Sequence, residues 1–159
     1  MLREGLAMGL TARTSVVINK PVEFVWAYLN DHSHETEWRR PSLKRLEKVG
    51  AGPARVGTRY EGVISLGPIK SPYVNELTAY EPPHRLAWKA ISSAGWPIGS
   101  SGSYTLDDEN GRTRFTHEIT LEPNSLAGKL VMPIVGASGS SMVMPIIKQL
   151  KQAVEKQPG

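Results

Sequence analysis

Between Lys129 and Lys148 the chain carries no charged residue, while Met142, Ile146, Leu150 and Val154 recur every four positions. That spacing predicts a long closing helix, and a helix so short of charge must lie against something apolar. The only sheet available to cover it is the run of strands that precedes it. A curved sheet holding one such helix encloses internal space, which points to a hydrophobic small molecule as the occupant.

A length of 159 residues suits one domain with a proper core, here placed at 11–156 behind a flexible leader at 1–10. The absence of cysteine excludes disulfides, thiolate metal sites and thiol nucleophiles, and it suits a reducing, cytoplasmic setting. The net charge of +4 invites a nucleic-acid partner. The basic residues are dispersed, however, and the one cluster, Arg39, Arg40, Lys44 and Arg45, is diluted by Glu35, Glu37 and Glu47. It reads as solvated surface, and no nucleic-acid partner is expected. The uncharged run of 18 residues from Leu130 to Ile147 reaches the ~17-residue lower limit for a membrane span. Gly136, Gly139, Ser138, Ser140 and Ser141 make it too weakly hydrophobic, so no integral membrane segment is expected. Oligomeric state is left open.

The β-branched stretch Thr11 to Ile18 opens the fold as a strand. Asn19 is placed to cap a helix whose first turn holds Pro21 and Glu23, with Val22, Val25, Trp26 and Leu29 at helical spacing. A second short helix is expected over Glu35 to Arg39, ended by Pro41. From Leu43 the period becomes two. Strands are predicted over Gly57–Leu66, Ile69–Tyr80, Arg85–Ser92, Gly102–Leu106 and Arg112–Glu122, with 107–111 as a hairpin loop. Short turns force antiparallel pairing, and helices confined to the two ends make the class α+β. Pro133 and Pro145 predict a kinked or interrupted final helix, with a Gly/Ser joint at 136–141 serving as a gate or a loop.

Alternation assigns the strand faces. Thr113, Phe115, His117, Ile119 and Leu121 share the inner face of the last strand. Leu86 and Trp88, Tyr104 and Leu106, and Tyr60, Gly62 and Ile64 point the same way, and Tyr73, Asn75, Leu77 and Ala79 complete the set. Five of these carry polar tips: Tyr60, Tyr73, Asn75, Tyr104 and His117. Buried without a partner, each costs ~1–3 kcal/mol, so water or a polar group on a ligand is expected to satisfy them.

With those residues in place, the chain resembles the helix-grip superfamily called SRPBCC or START-like, within it the polyketide cyclase/dehydrase and lipid-transport group. The resemblance rests on Ile18-Asn19-Lys20-Pro21-Val22-Glu23-Phe24-Val25-Trp26 ahead of Asp31, on Trp38, and on Val56-Gly57-Thr58-Arg59. It continues through Glu76-Leu77, Glu81-Pro82-Pro83-His84-Arg85-Leu86 and Gly111-Arg112-Thr113-Arg114-Phe115. It implies a curved antiparallel sheet of about seven strands wrapped around the C-terminal helix, two short helices after the first strand, and a hydrophobic cavity between. Members bind lipids, sterols, polyketides or hormones, and some cyclise or dehydrate their ligands. No universal catalytic motif transfers.

The expected ligand contacts are Tyr60, Ile64, Tyr73, Asn75, Leu77, Trp88, Trp96, Tyr104, Phe115, His117, Met132 and Met142. His117 is the candidate acid or base, because an ordinary imidazole titrates near neutral pH. A tyrosine of the same face would stabilise an enolate. His32, His34, Glu35 and Glu37 lack the spacing of a metal site and are placed in an exposed turn, so neither metal nor cofactor is expected. Three readings follow: a binder of a lipid or polyketide-like molecule, an aromatase/cyclase or dehydratase using His117 with a tyrosine, and a non-catalytic interaction or stress-response module. The first is preferred.

Overall fold

The computed structural model describes residues 9–92 and 98–159, with Leu66 and residues 134–142 described at the backbone only. Strand β1 (Leu10–Ile18) leads into helix α1 (Val22–Asn30), a 3-10 turn (His32–His34) and the single-turn helix α2 (Glu35–Trp38). Strands β2 (Leu43–Lys48), β3 (Arg59–Leu66), β4 (Ile69–Glu81), β5 (Arg85–Ser92), β6 (Ile98–Glu109) and β7 (Arg112–Pro123) follow, and α3 (Leu126–Glu155) closes the chain. The seven strands form one antiparallel sheet in the order β1-β7-β6-β5-β4-β3-β2. Each neighbour along the chain is a neighbour in space except β1, which returns to pair with β7. The fold is α+β with the helix-grip arrangement.

The sequence expectations hold for most of this frame. Ser125 caps α3, its side chain accepting from the Gly128 amide at 3.2 Å. Asn19 does not cap α1; Pro21 stands at that position, and the Asn19 amide instead donates to Glu155 Oε2 at 2.7 Å. Strands β6 and β7 run into the acidic stretch, leaving only Asn110-Gly111 as the turn, both with positive φ. That two-residue geometry matches the strand twist better than a five-residue loop. Pro133 and Pro145 both lie inside one continuous helix, so α3 is neither split nor looped at 136–141.

One face assignment fails. In β4 the register slips between Leu77, paired with Trp88, and Ala79, paired with Ala87. This bulge re-aims the strand. Tyr80, not Ala79, turns inward and packs its ring 5.6 Å from that of Trp26.

The core is concentrated at one end. Ile18, Leu106 and Phe115 from the sheet, Val25 from α1, and Ile147, Leu150 and Val154 from α3 are all essentially inaccessible. The C-terminal half of α3 thus seals against β1, β7 and α1, which leaves the rest of the sheet's inner face to line something else.

Candidate functional site

Two partly open chambers lie against that remaining face. The smaller, about 50 Å³, is walled by Leu29, Asn30, His32, Glu35, Leu46, Tyr60, Leu77, Tyr80, Leu86 and Tyr104. The larger, about 230 Å³, is walled by Ile64, Ser71, Ala90, Ile98, Ser100, Ile119 and Leu121. Arg39, Tyr73, Asn75 and Trp88 line both, forming a waist between them. An apolar cavity of roughly 150 Å³ suffices to admit a benzene-sized guest, so the larger, partly open chamber has room for a body bigger than one ring and the smaller only for a few waters.

Glycines set the shape of the waist. Gly62 pairs with Tyr73 across β3 and β4, and a Cβ there would stand 2.5 Å from the tyrosine ring. Gly102 pairs with Trp88 across β5 and β6, where a Cβ would meet the indole at 2.6 Å and the Glu118 carbonyl at 2.8 Å. Each missing side chain lets a ring lie flat over the neighbouring strand. The rings therefore pave the sheet and leave the space above it open.

The polar groups of this region are poorly satisfied. Among the described residues, Tyr73 Oη, Asn75 Oδ1, His117 Nδ1 and Trp38 Nε1 are buried with no hydrogen-bond partner. Buried polar groups are nearly always paired, so Tyr73 Oη and Asn75 Oδ1, whose residues line both chambers, are placed to meet a polar group there. Burial pushes the Tyr73 hydroxyl up to about 12, the cation of Arg39 pulling the other way, and burial likewise lifts Tyr60 to about 12. Tyr104 is raised well above its ordinary value, chiefly by burial. All three remain hydroxyl donors at neutral pH.

Arg39 follows α2 and is reached by Glu35 one turn earlier, Nη1 standing 3.1 Å from Oε2. Only 25% of the arginine side chain and 13% of the glutamate are exposed. Burial alone would weaken the guanidinium's hold on its proton, but the fields of Tyr104, Glu35 and Tyr73 outweigh it and keep the group charged. α2 is itself held in place from behind. Tyr28 Oη donates to Glu37 at 2.9 Å, His34 Nδ1 lies 2.9 Å from the Tyr28 carbonyl, and Gln149 of α3 donates to the Arg40 carbonyl at 3.1 Å.

Of the residues expected to touch a ligand, Tyr60, Leu77 and Tyr104 line the smaller chamber, Ile64 the larger, and Tyr73, Asn75 and Trp88 both. Phe115 is fully buried in the packed end, 5.2 Å from the Tyr104 ring. Met132 is buried, on α3. The side chain of Met142 and the whole of Trp96 lie outside the described residues. His117 rests against Trp88 and Tyr104, with ring centroids 6.0 and 5.4 Å away, and belongs to neither chamber's described wall. Burial, reinforced by the Arg39 cation, lowers its pKa to about 4. It is a neutral imidazole at pH 7.

Two expectations about charge are corrected. Arg39 is no member of a solvated cluster, and Glu35 does not sit in an exposed turn; both face the smaller chamber. His32 also lines it and meets Tyr60 edge-on at 5.5 Å. The legible signal was Glu35 and Arg39 at i and i+4 with Trp38 beside them: that order pairs the charges on one face of a helical turn. Trp38 then pulls the turn inward, being 2% exposed and packed on Tyr104. Tyr80, Leu86, Leu46 and Ser100 were missed or unweighted because nothing local distinguishes a cavity wall from a core.

By sequence, no curated protein matches the chain. Its backbone resembles the Zhui aromatase/cyclase from Streptomyces sp. R1128 (TM-score 0.75, 11% identity, 94% of this chain and 95% of that one). It also resembles norcoclaurine synthase from Thalictrum flavum, determined with dopamine and hydroxybenzaldehyde (TM-score 0.71, 11% identity, 96% and 90%). A conserved protein from Geobacillus kaustophilus is similar at 20% identity (TM-score 0.70, 92% and 96%). Identities this low speak to the fold alone. The family model for polyketide cyclase/dehydrase and lipid transport proteins matches residues 10–155, and the chain belongs to that family.

Proposed function

We propose that the protein binds a hydrophobic small molecule, lipid or polyketide-like, between the sheet and α3, with the ligand's body in the larger chamber and a polar group at the waist. The observation that carries this reading is the pair Tyr73 Oη and Asn75 Oδ1, buried without a hydrogen-bond partner among the described residues and lining a mostly apolar space. Left unpaired, each costs about 1–3 kcal/mol, a penalty a ligand's oxygen or nitrogen would relieve. The solved relatives support it by analogy: an aromatase/cyclase and a synthase holding two aromatic molecules share the backbone frame. Among the described residues no helix is long and apolar enough to cross a membrane, and we assign the activity to the cytoplasm, where a chain without cysteine needs no oxidising environment.

Filling the larger chamber tests the reading. Ser100→Phe adds a ring on its wall and should abolish binding of any small molecule that shifts the melting temperature of the wild type, while the variant stays folded by circular dichroism. Native mass spectrometry of gently purified protein should find a co-purifying mass on the wild type and none on the variant. Identical ligand retention by both would sink the assignment of this chamber.

A further inference from the structure

The waist holds a cation that is already neutralised. Arg39 and Glu35 are both largely buried and bridged through one guanidinium nitrogen at 3.1 Å. A guanidinium offers five N–H donors in a fixed fork; one bridges to Glu35 and another reaches the Tyr104 hydroxyl oxygen, which leaves the rest for other acceptors. Beside it stand the Tyr73 hydroxyl, a donor, and the Asn75 amide oxygen, an acceptor, both without a partner among the described residues. The net charge of the arrangement is zero.

We infer that Glu35 sets the charge selectivity of the site: the waist accepts a neutral oxygen acceptor, such as the carbonyl of a ketone attached to an apolar body, and rejects the matching carboxylate. This rests on the proposed binding function and adds to it a ligand class and a specificity-determining residue. A ketone oxygen takes hydrogen bonds from Arg39 and Tyr73 and leaves the ion pair intact. A carboxylate would add a second negative charge to a neutral, partly dehydrated pair, and an unbalanced charge in such a place is costly. With Glu35 neutral, Arg39 would instead stand unpaired and would favour the carboxylate through charge-assisted hydrogen bonds.

Three probes of nearly the same shape separate the possibilities: 2-acetylnaphthalene, 2-naphthoate and 2-ethylnaphthalene, titrated calorimetrically at pH 7.5 into the wild type and Glu35→Gln. On the wild type, the ketone should bind at least tenfold more tightly than the naphthoate and several-fold more tightly than the ethyl compound. On Glu35→Gln, naphthoate affinity should rise tenfold or more while the ketone changes less than threefold. If all three bind the wild type equally, the chamber binds apolar molecules but the waist does not select, and the inference falls while the binding function stands. A naphthoate that binds the wild type best, or a variant that leaves naphthoate affinity unchanged, overturns it as well. If none of the three binds, the binding function falls and takes the inference with it. The wild-type comparison decides even if the variant does not fold.

Discussion

The two ends of the sheet's inner face are built to opposite rules. At one end Ile18, Leu106, Phe115, Ile147, Leu150 and Val154 interlock with almost no accessible surface. At the other, Arg39, Tyr73, Asn75 and Trp88 border open chambers, and Tyr73 Oη and Asn75 Oδ1 have no hydrogen-bond partner among the described residues. The same sheet serves both, because α3 closes on β1 and β7 near its C-terminus while strands β2 to β6, with Ile119 and Leu121 of β7, carry the chambers. Stability and recognition are therefore separable by position. The packed end can anchor the fold, which lets the hollow end retain unsatisfied groups that a core would not accept.

The largest effect should come from the packed end. Leu150→Ala empties a fully buried position on α3 and should cost about 2–5 kcal/mol in urea unfolding, with ligand affinity of the folded fraction nearly unchanged. A loss of affinity matching the loss of stability would break the separation of the two ends.

His117 stands beside the waist and supplies the next effect. Burial holds its pKa near 4 in the folded protein, below the ordinary 6.5, so the unfolded chain binds the proton more readily. Stability is then full above pH 6.5 and is lost as pH falls toward and through 4. Between pH 7 and 4 this single group should remove roughly 3 kcal/mol. Urea melts across that window should show the extra slope in the wild type and lose it in His117→Leu. Equal slopes in the two proteins would mean that this imidazole is not held neutral by burial.

Gly102→Ala ranks third, at about 1–3 kcal/mol, since its Cβ would press on both the Trp88 ring and the Glu118 backbone carbonyl. The ring can tilt, but the carbonyl belongs to a β7 ladder and cannot. Trp88 should report the change: its fluorescence maximum shifts as the indole leaves the strand surface, and ligand affinity falls with it. Gly62→Ala, which meets only the far end of the Tyr73 ring, should cost less stability and disturb the waist alone. If the two alanines cost the same, the contrast between a backbone and a side-chain obstacle is wrong.

Legibility in the sequence follows the same division. Strand alternation was enough to bring Tyr60, Tyr73, Asn75, Trp88 and Tyr104 onto one face, because a period of two admits only two answers and the exposed side is marked by charge. Arg59 and Glu76, paired across β3 and β4 at 3.0 Å, show that marking. Where the period breaks, the reading broke too. The β4 bulge exchanged Ala79 for Tyr80, and no residue in Leu77-Thr78-Ala79-Tyr80 announces it. Arg39 and Glu35 were read as surface because charge usually means water, whereas here an ion pair is carried inward by Trp38. The continuity of α3 was hidden by intrinsic preference: a proline costs about 3 kcal/mol in a free helix, yet burial of Ile147, Leu150 and Val154 holds this one against the sheet.

Tyr73→Phe should have the smallest effect on stability and the most informative sign. In the packed end, removing a buried group costs stability because something touched it. Here the hydroxyl has no partner among the described residues, so its removal relieves a desolvation penalty and should leave the ligand-free protein unchanged or stabilise it by about 1 kcal/mol. A ligand that takes a hydrogen bond from Tyr73 should meanwhile bind several-fold more weakly to the variant. Thermal melts without and with 2-acetylnaphthalene measure both quantities on the same samples. Opposite signs mean that the waist holds an unmet donor for its ligand at the expense of fold stability. If stability and affinity fall together, Tyr73 is a structural residue whose hydroxyl is satisfied in solution, and the hollow end is more like the packed one than its geometry indicates.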